Sequence, residues 1–251
     1  MDINILQVFI LFVVGVAAGV LNTLAGGGSF ITVPVLIFTG LEPTIANATN
    51  RLGILFQSIF GVRKFKSMGY FPKNYSYTVA IPAAFGALFG AYLATIITDD
   101  AFRKYFAFFM IIMTFVTFFK PSAKELKDDV VFTSKSLIIN TVAFFFIGMY
   151  SGFVQAGVGF LMIAGAVLAG LDMVRANAVK MFLNLITATM SVAIFIYGGK
   201  ILFIPGIALG IGMSIGAVVG AGFSVKVSNN FLKRLVSVII FVFAILLLVL
   251  K

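Results

Sequence analysis

Between Asp2 and Glu42 the chain carries no ionisable side chain. That apolar run is too long for one bilayer crossing, which takes about 20 residues, and too short for two crossings joined by a polar turn. Within it the stretch 15–29, GVAAGVLNTLAGGGS, holds three consecutive glycines and the polar pair Asn22 and Thr23. A break at Gly26, Gly27 and Gly28 resolves the conflict. Two apolar helices then meet at a non-helical hinge, which membrane depth tolerates only where the backbone is buried in protein or lines a wet cavity. The pattern predicts a re-entrant or broken hairpin. With no basic segment and no small-residue cleavage pattern, 3–21 reads as a retained helix and not as a signal peptide.

A short loop at Gly40, Leu41, Glu42 and Pro43 leads into a predicted helix over about 45–62, where Asn47, Asn50, Arg51 and Gln57 form one polar stripe on an apolar rod. Arg63, Lys64, Lys66 and Lys73 follow as a basic loop. The uncharged stretch 77–98 predicts a crossing containing Pro82, Gly86 and Gly90; Asp99, Asp100, Arg103 and Lys104 predict a turn, and 105–119 a further crossing. Segment 121–135, PSAKELKDDVVFTSK, is the most polar of the chain and reads as a linker between two halves.

The second half repeats the first. Gly15 and Gly19 fall on Gly148 and Gly152 at a separation of 133, and Asn22 then falls on Gln155 and Gly26 on Gly159. Three residues drop out, and the separation becomes 130. Gly40, Leu41 and Glu42 then match Gly170, Leu171 and Asp172; Ala46 and Asn47 match Ala176 and Asn177; Asn50 matches Lys180. Further on, Gly86 and Gly90 match Gly216 and Gly220, and Arg103 and Lys104 match Lys233 and Arg234. A hairpin that returns to its starting side plus three full crossings gives each half odd parity, so the halves must face opposite ways. With the basic loop inside, thirteen of the eighteen Lys and Arg residues lie on or near the cytoplasmic side, as the positive-inside bias requires. The expected fold is an all-α integral membrane protein, an inverted-topology repeat with both termini outside. It forms one transmembrane domain over 1–251: repeat 1 about 1–120, a cytoplasmic linker about 121–135, and repeat 2 about 136–251.

Composition agrees. The chain is 61% hydrophobic and 10% charged with a mean hydropathy of +1.16, against about 25% charged residues in soluble domains. The net charge of +10 sits in short clusters between apolar segments, which offers no basic face for nucleic acid. The absence of Cys and His removes disulfides, thiol chemistry and the commonest metal ligands, so no metal and no cofactor is expected. No Asp, Glu or His falls inside a predicted span, which leaves a carboxylate proton relay without a carrier. Coupling would use the substrate's own protonation, a Na+ held by carbonyls and hydroxyls, or nothing. Ser29 follows a glycine run as a nucleophile does, yet no histidine activates it, and a Ser29–Lys180 pair is a poor substitute. The chain is not expected to be an enzyme.

Interrupted helices in inverted repeats place a binding site near the midplane, where half-helix N-termini favour an anion. The expected site residues are Asn22, Thr23, Gly26, Gly27, Gly28 and Ser29 at the first break and Gln155, Gly157 and Gly159 at the second. The stripe helices add Asn47, Asn50, Arg51 and Gln57 in one half and Asn177, Lys180 and Asn184 in the other, with Thr187 and Ser191 on the same face. Cations and amides together suit a small oxyanion. Competing explanations are glycines that only permit tight helix packing, cations that snorkel to an interface, and amides that act as interhelical hydrogen-bond glue. For the spaced Gly86 and Gly90, and Gly212, Gly216 and Gly220, packing is the expected role.

The motif G-x3-G-x2-N-T-L-A-G-G-G-S at 15–29, followed by A-N-x-T-N-R at 46–51 and Q-S-x-x-G at 57–61, resembles the sulfite exporter TauE/SafE family of membrane permeases. A weaker second copy, at 148–160 with G-L-D at 170–172, is similar to the same pattern. The resemblance implies a multi-pass carrier in a prokaryotic inner or plasma membrane, moving small sulfur-containing anions such as sulfite or organosulfonates; the family contains exporters and importers. Membrane lipids are the other implied partner. Lys180 stands where the first copy has Asn50, which makes the halves chemically asymmetric. The rival readings are a channel-like facilitator of another small oxyanion or carboxylate, and a non-transporting membrane scaffold.

Overall fold

The computed structural model describes residues 4–116 and 128–224, and all of the regular structure among them is helical. In chain order the helices are α1 Ile5–Ala25, α2 Ser29–Phe38, α3 Pro43–Ser67, α4 Lys73–Ile96, α5 Asp99–Val116, α6 Ser134–Phe153, α7 Val158–Leu168, α8 Met173–Tyr197 and α9 Phe203–Ser224. The expected final crossing, with Lys226, Lys233 and Arg234, lies outside the described residues, as does the linker over 121–127.

Both hairpins are broken where the glycines stand. Helix α1 ends at Ala25, Gly26 takes the left-handed backbone (φ 86°), and α2 starts at Ser29. Helices α2 and α7 have 10 and 11 residues, half of what a crossing needs. Among the described residues, α1, α4, α6, α8 and α9 are long and apolar enough to cross a membrane. Helix α3, with 25 residues, is as long as α8, but its polar stripe and basic end lower its hydropathy.

Three expectations need correction. Helix α3 runs to Ser67, so Arg63, Lys64 and Lys66 belong to its last turns and not to a loop; Lys64 and Lys66 there meet the negative end of the helix dipole. Asp99, Asp100, Arg103 and Lys104 are already helical in α5, the turn being confined to Ile97 and Thr98. Acidic residues suit a first turn, and the Asp99 carboxylate also accepts from the Thr44 N–H at the start of α3 (2.8 Å). At the linker, Ser134 and Lys135 open α6, capped by Thr133.

Pairing between the halves is reciprocal. Helix α1 packs on α9 and α6 on α4, while α3 packs on α9 and α8 on α4; α3 and α8 lie against each other in the middle. Lys200, just past α8, donates to Thr44 at the start of α3 (3.4 Å), and Arg175 in the first turn of α8 stacks over Tyr70, just past α3. The two central helices therefore run antiparallel. The outer faces are apolar at helical spacing: Ile81, Phe85, Phe89, Tyr92 and Ile96 on α4, and Ile204, Ile207, Ile211 and Ile215 on α9 are exposed, as lipid-facing positions are.

Glycine makes the paired crossings possible. A Cβ at Gly86 or Gly90 would run into the Phe145 or Met149 carbonyl oxygen of α6, and one at Gly148 or Gly152 into those of Ala83 and Ala87 on α4. Gly15, Gly19, Gly212 and Gly216 do the same between α1 and α9. Close backbone approach of this kind drives helix association where lipid supplies no hydrophobic force. Gly90→Val is accordingly expected to cost about 3 kcal/mol, read as a lower melting temperature in detergent; an unchanged melting temperature would contradict the crossing.

Candidate substrate site at the two helix breaks

The two breaks meet each other. A Cβ on Gly26 would lie 2.8 Å from the backbone of Gly159, and one on Gly159 would lie 2.5 Å from the Gly26 Cα. These are the residues that the repeat register pairs, and they touch backbone to backbone between the halves. Around them every amide, hydroxyl and cation expected at the site is buried: Asn22, Thr23, Ser29, Asn47, Asn50, Arg51, Gln57, Gln155, Asn177, Lys180 and Asn184. None snorkels; Arg51 and Lys180 are both 0% exposed.

At the first break the side chains of α3 hold both arms of the hairpin. Asn22 donates to Gln57 (2.7 Å), and Gln57 donates to the Gly19 carbonyl (3.1 Å) and to Thr23 Oγ1 (3.2 Å). Asn50 donates to Ser29 (3.1 Å) and accepts from Thr32 (2.7 Å), which ties the start of α2 to α3. The hinge amides are less available than a bare helix start would be. Phe30 N–H turns back on the Gly27 carbonyl, and those of Ile31 and Thr32 on Gly28.

The second break is built differently from the first, although the sequence aligns them. Asn22 lies in the last turn of α1, whereas its partner Gln155 lies beyond the end of α6 and adopts a left-handed backbone (φ 67°). A non-glycine residue in that region costs of order 1–3 kcal/mol and persists only where its surroundings dictate it. Here they do. Gln155 donates to Asn184 (3.2 Å), its Oε1 lies 3.0 Å from Ser151 Oγ, and it accepts from Arg51. Tyr150 pins the loop by donating to the Ala156 carbonyl (2.6 Å). Gly157 precedes α7 with φ 74°, against the ring of Phe30.

The cations cross between halves. Arg51, on α3, donates to Gln155 and to the Gly152 carbonyl at the end of α6 (3.0 Å), beside Asn47, which itself donates to the Phe153 carbonyl (2.9 Å). Lys180, on α8, donates to the Asn22 and Thr23 carbonyls at the end of α1 (2.6 and 2.7 Å) and to Asn177 (2.8 Å). All three ammonium hydrogens are thus engaged. Arg51 Nε is buried with no hydrogen-bond partner, and among the described residues neither cation pairs with a carboxylate.

Sequence reasoning missed Ser151, Thr32, Tyr150 and Phe195, whose ring lies 5.9 Å beneath the Arg51 guanidinium. Ser151, four residues before Gln155 on a helix, carried a spacing signal; the others have none.

A bundle with lipid-exposed flanks and a charged, amide-lined middle at two interrupted helices is the architecture of a multi-pass membrane transporter. The pattern of the sulfite exporter TauE/SafE family matches residues 11–247, and the chain belongs to that family. It is 29% identical over 239 residues to "Probable membrane transporter protein ORF9" of Sinorhizobium sp., covering 95% of this chain and 91% of that one. Over 248 residues it is 29% identical to a "Probable membrane transporter protein" of Haemophilus influenzae (96% and 94% covered). Over 236 residues it is 26% identical to "Probable membrane transporter protein YfcA" of Escherichia coli K12 (92% and 85% covered). The chain is thus a multi-pass bacterial membrane protein that acts on a small-molecule substrate.

Proposed function

We propose that this transporter carries a small sulfur oxyanion, sulfite or an organosulfonate, bound between two oppositely facing halves at the level of the helix breaks. One observation carries the anion reading: a fully buried guanidinium with no carboxylate counter-ion among the described residues and an unused Nε donor. Buried charge is costly unless paired, so an uncompensated one favours an anionic visitor. Asn47 and Gln155 contact it, with Asn184 behind Gln155, and these amides orient oxygens. The family supports the sulfur class; the antiparallel α3 and α8 and the reciprocal pairing support the opposed halves.

The test is saturable flux of sulfite and of a short alkylsulfonate into proteoliposomes, with counter-transport, beside a melting-temperature screen against sulfur oxyanions, carboxylates and cations. A ligand that binds only the folded protein raises its apparent stability. Stabilisation and saturable flux with a sulfur oxyanion are expected. A response to carboxylates alone would overturn the substrate class, and flux that never saturates would replace the carrier with a channel.

A further inference from the structure

The oxygen atoms around Lys180 Nζ form a site that suits a free monovalent cation. Two are backbone carbonyls of Asn22 and Thr23, the third is the Asn177 side-chain oxygen, and all lie within 2.6–2.8 Å. The carbonyls belong to the last turn of α1, where orphan acceptors and the dipole give a helix end negative character. In transporters with discontinuous helices, carbonyls at such ends are where a coupling Na+ is held.

We infer that Lys180 is a tethered cation occupying what would otherwise be a Na+ site at the end of α1, so that transport by this chain does not depend on Na+. This rests on the transporter reading of the same region and adds its ion requirement. The ammonium reaches the carbonyls from the opposite half, and its path depends on Gly159, where a Cβ would sit 3.1 Å from Lys180 Cδ. Arg51 meets the matching end, of α6, at the Gly152 carbonyl. The equivalent of Lys180 in the first half, Asn50, is spent on Ser29 and Thr32, so Arg51, one residue on, takes that role. Both carbonyl ends therefore hold a side-chain cation. Because Lys180 spends every donor on the protein, it positions the first break, while Arg51 keeps a donor for substrate.

The wild-type protein and Lys180→Gln are compared in NaCl and in choline chloride at equal ionic strength, by melting temperature in detergent and by anion flux in proteoliposomes. For the wild type, both readouts are expected to be the same in the two salts. For Lys180→Gln, the melting temperature in choline is expected to fall by about 5 °C and to recover by at least half in Na+, with flux regained in parallel. A wild-type protein stabilised or activated by Na+ overturns the inference, and so does a folded Lys180→Gln protein that does not respond to Na+. The wild-type arm decides the matter even if the variant does not fold. Failure of the sulfur-anion reading is distinguishable, since it removes flux in every arm but leaves the melting-temperature comparison standing.

Discussion

Replacing Arg51 by methionine is expected to lower sulfur-anion flux by about 100-fold while the protein still folds. A charged hydrogen-bonding group contributes about 1.5–3 kcal/mol to its partner, and each 1.4 kcal/mol is tenfold in binding. Losing the only guanidinium at the site among the described residues, together with the favourable field of an uncompensated charge, accounts for a change of that size. Folding survives for a different reason. Methionine is the residue at the repeat-equivalent position 181, where it is fully buried, so its shape is already accommodated on a central helix of this kind. Removing a buried charge that has no counter-ion also removes its desolvation cost, which offsets the hydrogen bonds lost to Gln155 and the Gly152 carbonyl. Gln155 keeps Ser151 and Asn184 as partners when the guanidinium leaves. Flux in proteoliposomes and melting temperature, measured on the same preparation, separate the two effects. Flux above half of wild type would remove the cation from the site, and a loss of fold would make Arg51 a structural latch.

Gly159→Val is expected to have the largest effect on stability, about 4–5 kcal/mol, enough to prevent accumulation of folded protein. The new Cβ would be forced to within 2.5 Å of the Gly26 Cα and 2.9 Å of its carbonyl oxygen. Backbone has no rotamer with which to yield, and the same Cβ crowds the Lys180 stem. Gly26→Ala carries the reciprocal clash and also requires a left-handed backbone from a residue with a side chain. Gly222→Ala is the control, because nothing among the described residues lies within 4 Å of a Cβ there. Size-exclusion profiles and melting temperatures of the three variants decide the point. A folded, active Gly159→Val protein would mean that the two breaks do not touch.

Much of this was legible in order along the chain. The length of the uncharged run forced a break, and a triple glycine is where a helix stops at least cost. Asn47, Asn50, Arg51 and Gln57 share one face at helical spacing, and polar groups in lipid must turn inward; all four are buried. The repeat spacing pairs Gly26 with Gly159, the two residues that touch in the fold. Helix ends were less legible: Arg63, Lys64 and Lys66 signal a loop by charge but extend α3, because cations suit a helix C-terminus as well as they suit a loop.

By itself the sequence determined that the chain crosses a membrane several times, where its first hairpin breaks, and which faces of α3 and α8 are polar. These follow from hydropathy, spacing and the cost of placing polar groups in lipid, all of which act locally. Only the tertiary structure decided what the polar groups hold. Arg51 reaches the end of α6 and Lys180 the end of α1, 157 or more residues away in the latter case, and Gln155 departs from Asn22 by adopting a left-handed turn. Such choices depend on which carbonyls are left without partners once the helices have packed, and that inventory exists only in the folded bundle.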